Sequence, residues 1–201
     1  SGLDENGNAV EKKEYLFDTA RKNYQAFHSG FGHLFCTDIK RDRDGAFWCS
    51  TRQGLYKIQG NRVERADQTL LPGIPSETVR FSLPLSDGCI LVCMDLKDLY
   101  LCQPKKGQAL RLNEDFPELN RSRAMSFAIE IKPGQLIIGG QNGLFGYEIA
   151  RRKLQRLAWI VPWERYSTKY NCAYAEGRSV WIGTQNGLIC HDFRTKETLR
   201  L

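Results

Sequence analysis

The stretch SVWIGTQNGLIC, from Ser179 to Cys190, decides the fold of this chain. It alternates as a β-strand does, breaks at Asn186-Gly187, and resumes as a second strand. Asn-Gly between two apolar runs is a strong hairpin signal, because a type I′ turn needs a positive φ at both central residues. We therefore predict a β-hairpin with this turn.

The hairpin recurs along the chain. Trp48–Leu55 matches Trp181–Leu188 without a gap, Ile137–Leu144 is a third copy, and Val92–Leu99 is a degenerate one with Asp98 in place of the glycine. The leucines that end the motif are 44, 45 and 44 residues apart, and they are Leu55, Leu99, Leu144 and Leu188. Each copy follows a turn that contains Gly45, Gly88, Gly134 or Gly177.

A repeat of about 40–50 residues built from short strands is typical of β-propeller blades. One blade is a four-stranded sheet that cannot bury both faces alone, so blades stack around an axis. We predict an all-β propeller with four blades of four antiparallel strands, at about residues 33–66, 78–112, 123–157 and 168–201. The alternative is an ordinary β-sandwich whose segments resemble one another by chance.

Residues 1–24 form an N-terminal extension before the propeller segment 25–201. Residues 10–18 are predicted either to supply a strand that completes a blade or to form a short helix. Four blades either close into a small ring or form an arc of a larger propeller. An arc would leave an apolar blade face bare at each end, and such a patch favours association.

The composition is that of a globular protein, with 201 residues, 41% of them hydrophobic and 26% charged. No apolar run approaches the ~20 residues that span a membrane, so we expect no direct membrane insertion. The net charge is +6, without a block of five like charges. The basic residues are interpreted as solvated strand edges or as a preference for anionic ligands. No groove-reading motif predicts nucleic-acid binding.

The seven cysteines include no CxxC pair, and we interpret Cys49, Cys93 and Cys102 as small buried hydrophobic residues. Cys49 and Cys93 are predicted to share one repeat position. No zinc spacing, P-loop or nucleophile motif is present, so we expect no cofactor, no metal site and no catalytic residue. His191 falls at the repeat position of Ile58, Cys102 and Tyr147, which predicts a packed imidazole.

The segment Asp42–Tyr56 has the pattern Asp-x-Asp-Gly followed by Trp-x-x-Thr-x-x-Gly-Leu. This pattern resembles the two-component regulator propeller repeat, and the resemblance covers about residues 25–201. Members of that family form the extracytoplasmic sensor region of hybrid two-component systems, common in gut Bacteroidetes. In them, seven-bladed propellers precede an immunoglobulin-like domain, a membrane helix and a histidine kinase, and the sensors detect oligosaccharides as dimers.

The resemblance implies that this chain is an arc of a seven-bladed propeller in the periplasm. It also implies partners: an oligosaccharide or other small ligand, a second copy in a homodimer, the remaining blades and the downstream sensor domains. The segment itself would then be no enzyme, although a histidine kinase would lie downstream. We predict a ligand-sensing segment. The alternatives are a protein-interaction scaffold and a propeller lyase or hydrolase that uses Glu164 or His191.

Candidate ligand residues lie on one predicted face, which the turns between second and third strands share with the connections between blades. Those turns carry Arg52, Gln53, Gln141 and Gln185, whose side chains can hydrogen-bond to sugar hydroxyls. Turn propensity is the alternative reason for these residues.

The connection Trp159–Tyr170 adds aromatic rings, which stack on sugars, and cations, which pair with carboxylate or sulfate. The candidates there are Trp163, Arg165, Tyr166 and Tyr170, with Arg121 and Arg123 entering the third blade from the same side. Alternatively, Trp159 and Trp163 wedge between blades as core, and the two arginines are solvated charges.

Overall fold

A computed structural model describes residues 14–18, 23–27, 35–60, 62–95, 98–121, 124–141, 143–159 and 169–201. The chain divides into two compact units, Ser1–Phe35 and Cys36–Leu201. In the first unit, β1 (Glu14–Asp18) pairs antiparallel with β2 (Asn23–Phe27) in a two-stranded sheet. A strand is therefore present within residues 10–18, but it pairs with β2 and not with a strand of a blade, so the expected completion of a blade is not what the sheet pairing shows.

The second unit consists of four four-stranded antiparallel sheets, each built from one continuous segment in chain order. Sheet 1 comprises β3 (Cys36–Arg41), β4 (Phe47–Thr51), β5 (Gly54–Gln59) and β6 (Arg62–Arg65). Sheet 2 comprises β7 (Val79–Pro84), β8 (Ile90–Met94), β9 (Asp98–Gln103) and β10 (Gln108–Arg111). Sheet 3 comprises β11 (Met125–Lys132), β12 (Gln135–Gly140), β13 (Gly143–Glu148) and β14 (Lys153–Arg156). Sheet 4 comprises β15 (Tyr170–Glu176), β16 (Ser179–Thr184), β17 (Gly187–Asp192) and β18 (Thr198–Arg200). The predicted propeller architecture is confirmed.

The sheets stack face to face, with their first strands innermost. β3 contacts β7, β7 contacts β11, and β11 contacts β15. Side chains alternate across a strand, so each sheet has two faces. We call the face toward the following sheet the leading face and the opposite one the trailing face. In sheet 2, Ile90 and Val92 pack toward Trp48 of sheet 1 on the trailing face, while Leu91 and Cys93 pack toward sheet 3 on the leading face.

Short helical segments occupy two of the connections between sheets. α1 (Ala66–Thr69) follows sheet 1, and α2 (Leu112–Asp115) with a 3-10 turn at Pro117–Arg121 follows sheet 2. Ala66, Leu112 and Leu119 are fully buried in the clusters between sheets. The connections are helical because one turn aims such apolar side chains inward while their polar neighbours stay in solvent.

The Thr-x-x-Gly part of the repeat closes the turn between the second and third strands. In sheet 1, the Thr51 hydroxyl donates to the Gly54 carbonyl over 2.8 Å and accepts from the Gln53 N–H over 3.1 Å. Gly54 has a φ of +134°, a conformation that favours glycine. The threonine therefore satisfies turn groups that would otherwise need water.

Sheet 4 uses the same device, with Thr184 donating to Gly187 over 3.0 Å and accepting from Asn186 over 3.0 Å. The predicted type I′ turn centred on Asn186-Gly187 is wrong. The turn residues are Gln185 and Asn186, neither of which has a positive φ, and Gly187 already pairs with Thr184 in the ladder. The Thr184 hydroxyl supplies two hydrogen bonds that hold this turn closed.

In the degenerate second repeat, Met94 pairs with Asp98, so one more residue separates the two ladder partners than separates Thr51 from Gly54 in sheet 1. The alignment of β8 with the second strands of the other sheets therefore shifts by one residue. As a result, Leu91 and not Val92 lies at the position of Trp48. The prediction that Cys49 and Cys93 share a position is wrong. Cys49 faces away from sheet 2, while Cys93 packs toward sheet 3.

Trp48 is the largest side chain between sheets 1 and 2, and it is only 3% exposed. Asp42 holds it in place: one carboxylate oxygen accepts from the Trp48 indole N–H over 2.9 Å, and the other from the Ala46 N–H over 2.8 Å. The Lys57 ammonium lies 5.3 Å from the centre of the indole ring. These contacts explain why an aspartate precedes the tryptophan by six residues in this repeat.

His191 lies on the trailing face of sheet 4 and stacks on Trp159, with ring centres 3.9 Å apart and planes inclined by 8°. Its Nδ1 lies 2.9 Å from the Thr198 hydroxyl oxygen. Burial lowers the pKa of His191 below its ordinary value. The predicted packed imidazole is confirmed, and Trp159 belongs to the core between sheets 3 and 4.

Removal of the Asp42 carboxylate should destabilise the protein by about 1–3 kcal/mol, because the buried indole N–H would lose its acceptor. Urea unfolding of Asp42→Ala measures this loss. Asp44→Ala is the matched control, since Asp44 is exposed in the same turn, and surface changes usually cost within about 0.5 kcal/mol. Equal losses in both variants would contradict the anchoring role of Asp42.

Acidification should destabilise the protein partly through His191. The pKa of this imidazole is lower in the folded state than its unfolded value of about 6.5, so the unfolded chain binds the proton more readily. The stability that His191 contributes is therefore fully present above about pH 6.5, and it is lost as the pH falls below that value. The thermal midpoint of His191→Phe should drop less than that of the parent between about pH 7.5 and 5.5. Carboxylates such as Asp192 are common to both proteins, so identical drops would rule out the effect.

Candidate functional site on the axial face

Hydrogen bonds tie the turns between second and third strands to the connections between sheets. In the first two sheets, the Thr78 hydroxyl donates to the Arg52 carbonyl over 3.1 Å, and the Arg65 guanidinium to the Gln53 carbonyl over 2.6 Å. The Asp95 N–H donates to the Thr78 carbonyl over 2.6 Å. Turns and connections therefore share one end of the stacked sheets, which we call the axial face.

Sheets 3 and 4 continue the same arrangement. The Gln141 N–H donates to the Ala124 carbonyl over 2.7 Å, and the Gln185 N–H to the Lys169 carbonyl over 3.1 Å. An isolated bridge also joins Gln141 to Lys169, across the boundary between the two sheets. Backbone hydrogen bonds therefore connect the turns and connections of the axial face, and they can hold its side chains in defined positions.

A β-bulge interrupts every innermost strand next to this face. The register shifts between the first and third residues of β3, β7, β11 and β15, which leaves one extra residue in each strand without a ladder partner. The four extra residues are Thr37, Arg80, Ser126 and Asn171. All are polar, three are exposed, and Ser126 is half-buried. Bulges of this kind often re-aim side chains beside functional sites.

Sequence reasoning did not identify this polar set, because a bulge is not visible in an alternating pattern. The spacing of 43, 46 and 45 residues between successive members follows the repeat and could have suggested it. Thr37 shows how the set also joins sheets: its hydroxyl lies 3.0 Å from the Ser50 carbonyl oxygen and 2.7 Å from the Val79 carbonyl oxygen.

The predicted ligand residues fall into three groups. Arg52, Gln53 and Gln185 are exposed on the axial face, and Gln141 is half-buried there. Tyr170 begins β15 and is 7% exposed in the core between sheets 3 and 4, so packing accounts for its ring. The remaining side chains lie outside the described residues and stay predictions; they are Trp163, Arg165, Tyr166, Arg121 and Arg123.

Charge on the axial face is mixed. Arg80 and Lys169 present exposed cations, and Glu77 and Asp95 present exposed carboxylates. Two further carboxylates are in ion pairs, Asp98 with Arg111 at 3.2 Å and Asp67 with Arg65 at 3.2 Å. A surface with both cationic and anionic side chains offers hydrogen-bond donors and acceptors together. It therefore suits a ligand with many hydroxyl groups better than a purely anionic ligand.

Metal-ligating side chains are not clustered in the part of the chain that the structure describes. No cluster of three or more His, Cys, Asp or Glu side chains is placed to hold a metal ion there. His191, the one described histidine, is stacked in the core. Within the same residues, no helix has the length and apolar character to cross a bilayer. An open groove of about 550 Å³ lies elsewhere, beside the outer strands of sheet 2, and is lined in part by Leu101, Gln108 and Arg152.

No family model and no curated protein matches the chain. Solved structures do. The chain is similar to the extracellular domain of a protein described as a hybrid two-component system, BT4673 from B. thetaiotaomicron, with a TM-score of 0.73 and 16% identity. That match covers 96% of this chain and 28% of the other.

Two other solved structures are also similar to the chain. YCF48 bound to a D1 peptide matches with a TM-score of 0.63 and 13% identity, over 84% of this chain and 54% of that one. Virginiamycin B lyase from Staphylococcus aureus matches with a TM-score of 0.63 and 8% identity, over 100% of this chain and 68% of that one. At these identities the likeness establishes the propeller fold, which sensors, peptide-binding proteins and enzymes share.

Proposed function

We propose that this chain is a ligand-sensing propeller segment of a bacterial hybrid two-component sensor and that it binds a glycan-derived oligosaccharide on its axial face. The observation that carries the proposal is the polar set at the bulges, Thr37, Arg80, Ser126 and Asn171, beside the exposed turn residues Arg52 and Gln185. Repetition places a donor or acceptor at the same level on each sheet. An oligosaccharide is a chain of linked hydroxyl-bearing rings, and it can form hydrogen bonds with such a series of side chains.

The fold likeness to a sensor extracellular domain supports this assignment over the many other uses of a propeller. Transmission would follow from differential binding: a ligand that favours one arrangement of a sensor homodimer shifts the population toward it. The proposal also places the chain in the periplasm, with the kinase and other signalling domains elsewhere in the sensor.

A protein-interaction scaffold is the second candidate. YCF48, which has a similar fold, is bound to a D1 peptide, so a protein of this fold can bind a peptide. The mixed charge of the axial face suits peptide backbone groups as well. The two candidates differ in ligand, since a scaffold would bind a protein segment and no oligosaccharide.

Calorimetric titration with neutral and acidic oligosaccharides tests the sensor function. Arg80→Ala and Asn171→Ala should each weaken binding about tenfold, equivalent to about 1.4 kcal/mol, because each removes a hydrogen-bonding group from the axial face. Arg194→Ala is the matched control, since Arg194 is exposed in the turn before β18, at the opposite end of sheet 4. Absence of heat with every oligosaccharide, or equal weakening by Arg194→Ala, would count against the proposal.

A further inference from the structure

Strand β10 forms the outer edge of sheet 2, beside the open groove of about 550 Å³. Gln108, Ala109 and Leu110 of this strand line the groove. Alternate residues of an antiparallel edge strand direct their N–H and C=O groups away from the neighbouring strand. Among the described strands, only β9 pairs with β10. One side of the groove therefore presents a row of backbone donors and acceptors that can pair with a further strand.

The outer strands of the other sheets protect their edges better. Strand β6 has the sequence Arg-Val-Glu-Arg and β14 the sequence Lys-Leu-Gln-Arg, and charged side chains discourage pairing with an exposed edge. Strand β18 is only three residues long. The three groove-lining residues of β10 are uncharged, and its Arg111 is in an ion pair with Asp98 at 3.2 Å. Of the four described outer strands, β10 is therefore the least protected against strand addition.

The lining of the groove beside this edge is largely apolar. Leu101 and Leu110 lie on the leading face of sheet 2, and Ala109 lies on its trailing face. Pro72, from the connection between sheets 1 and 2, also lines the groove. An extended chain directs successive side chains to opposite sides. A strand added to β10 would therefore have apolar contacts for its side chains on both sides.

Cations lie at one end of the groove. Lys105 and Lys106 belong to the 3-10 turn directly before β10, and both are exposed. Neither lysine forms an ion pair within the described residues. Arg152, in the turn before β14, lines the groove and pairs with Asp115, yet its side chain is 58% exposed. Both turns join third and fourth strands, so these cations share the end opposite the axial face and favour an anionic group there.

An extended peptide is the ligand that uses all of these features. A small anion would engage the cations and leave the edge of β10 unpaired. A nucleic acid has no alternating N–H and C=O groups along its backbone to pair with a strand. A peptide supplies backbone hydrogen bonds for affinity and alternate side chains for specificity, as in other cases of strand addition.

We propose that the outer edge of sheet 2 binds an extended peptide segment with acidic residues at one end, by addition of a strand to β10. The peptide backbone pairs with Gln108–Arg111, a length of about 13 Å. Its carboxylates lie beside Lys105 and Lys106, and its apolar side chains contact Ala109 and Leu110. The site is separate from the axial face, so the inference does not depend on the proposed oligosaccharide.

Fluorescence anisotropy with the full chain and a labelled probe peptide, Val-Thr-Val-Thr-Glu-Glu-Glu, tests the charge requirement. Lys105→Gln/Lys106→Gln should weaken binding about fivefold, because two exposed ion pairs are lost. The matched control is Arg194→Gln/Lys196→Gln, which removes two exposed cations from the equivalent turn of sheet 4. It should change the affinity by less than about twofold. Equal weakening by the two double variants would overturn the proposal.

Two modified probes test the backbone pairing without any change in the protein. Each carries N-methyl groups on one of the two alternate sets of amides, so both have the same charge and composition. Their affinities should differ about tenfold, because only one set faces β10 and donates hydrogen bonds to it. Equal affinities would overturn strand addition. Displacement of the probe by an equal concentration of polyglutamate would show attraction by charge alone and would also overturn it.

Amide hydrogen exchange of the unaltered chain locates the bound peptide. With saturating probe, exchange at the outward-facing amides of β10 should slow about tenfold or more, because exchange would then require release of the added strand. Exchange along β14, the outer strand of sheet 3, should not change. Protection confined to the turns of the axial face, or loss of probe binding in the presence of a bound oligosaccharide, would place the peptide there and overturn the proposal.

Discussion

Burial of one sheet face against the next is the interaction on which this structure depends. A four-stranded blade cannot bury both of its faces alone, and here the neighbouring sheets, with the helical connections, cover them. Complete burial of a side chain such as Leu99 or Ile138 contributes about 1.5–3 kcal/mol. The three internal interfaces supply many such residues, so the stacked sheets stabilise one another although each is too small to be stable alone.

Two polar devices make this stacking precise. Asp42 accepts the indole N–H of Trp48, so that a large aromatic ring can be buried without an unpaired donor. Thr51 and Thr184 close the turns at the axial face through their hydroxyl groups. The residues that define the repeat are therefore those that satisfy the hydrogen-bonding groups of a buried ring and of a tight turn.

The axial face carries polar side chains and the sheet interfaces carry apolar ones, although the same strands supply both. In sheets 2 to 4, the side chains of the innermost strand face the neighbouring sheets and are mostly apolar. The bulged residue near the axial end is the exception, because it has no ladder partner. It can be polar, as Arg80 and Asn171 are, without disturbing the core. The fold thus separates an apolar interior from a polar surface at the axial end.

The sequence alone determined the four hairpins and their period, because alternation, Gly turns and the recurring leucine are local signals. It also placed His191 in the core by its repeat position. It misplaced Cys93, since an extra turn residue shifts the register, and it could not reveal the bulges. Only the tertiary structure decided that Tyr170 packs inside while Leu188 stays exposed, because burial depends on which sheet lies opposite, and no local pattern records that neighbour.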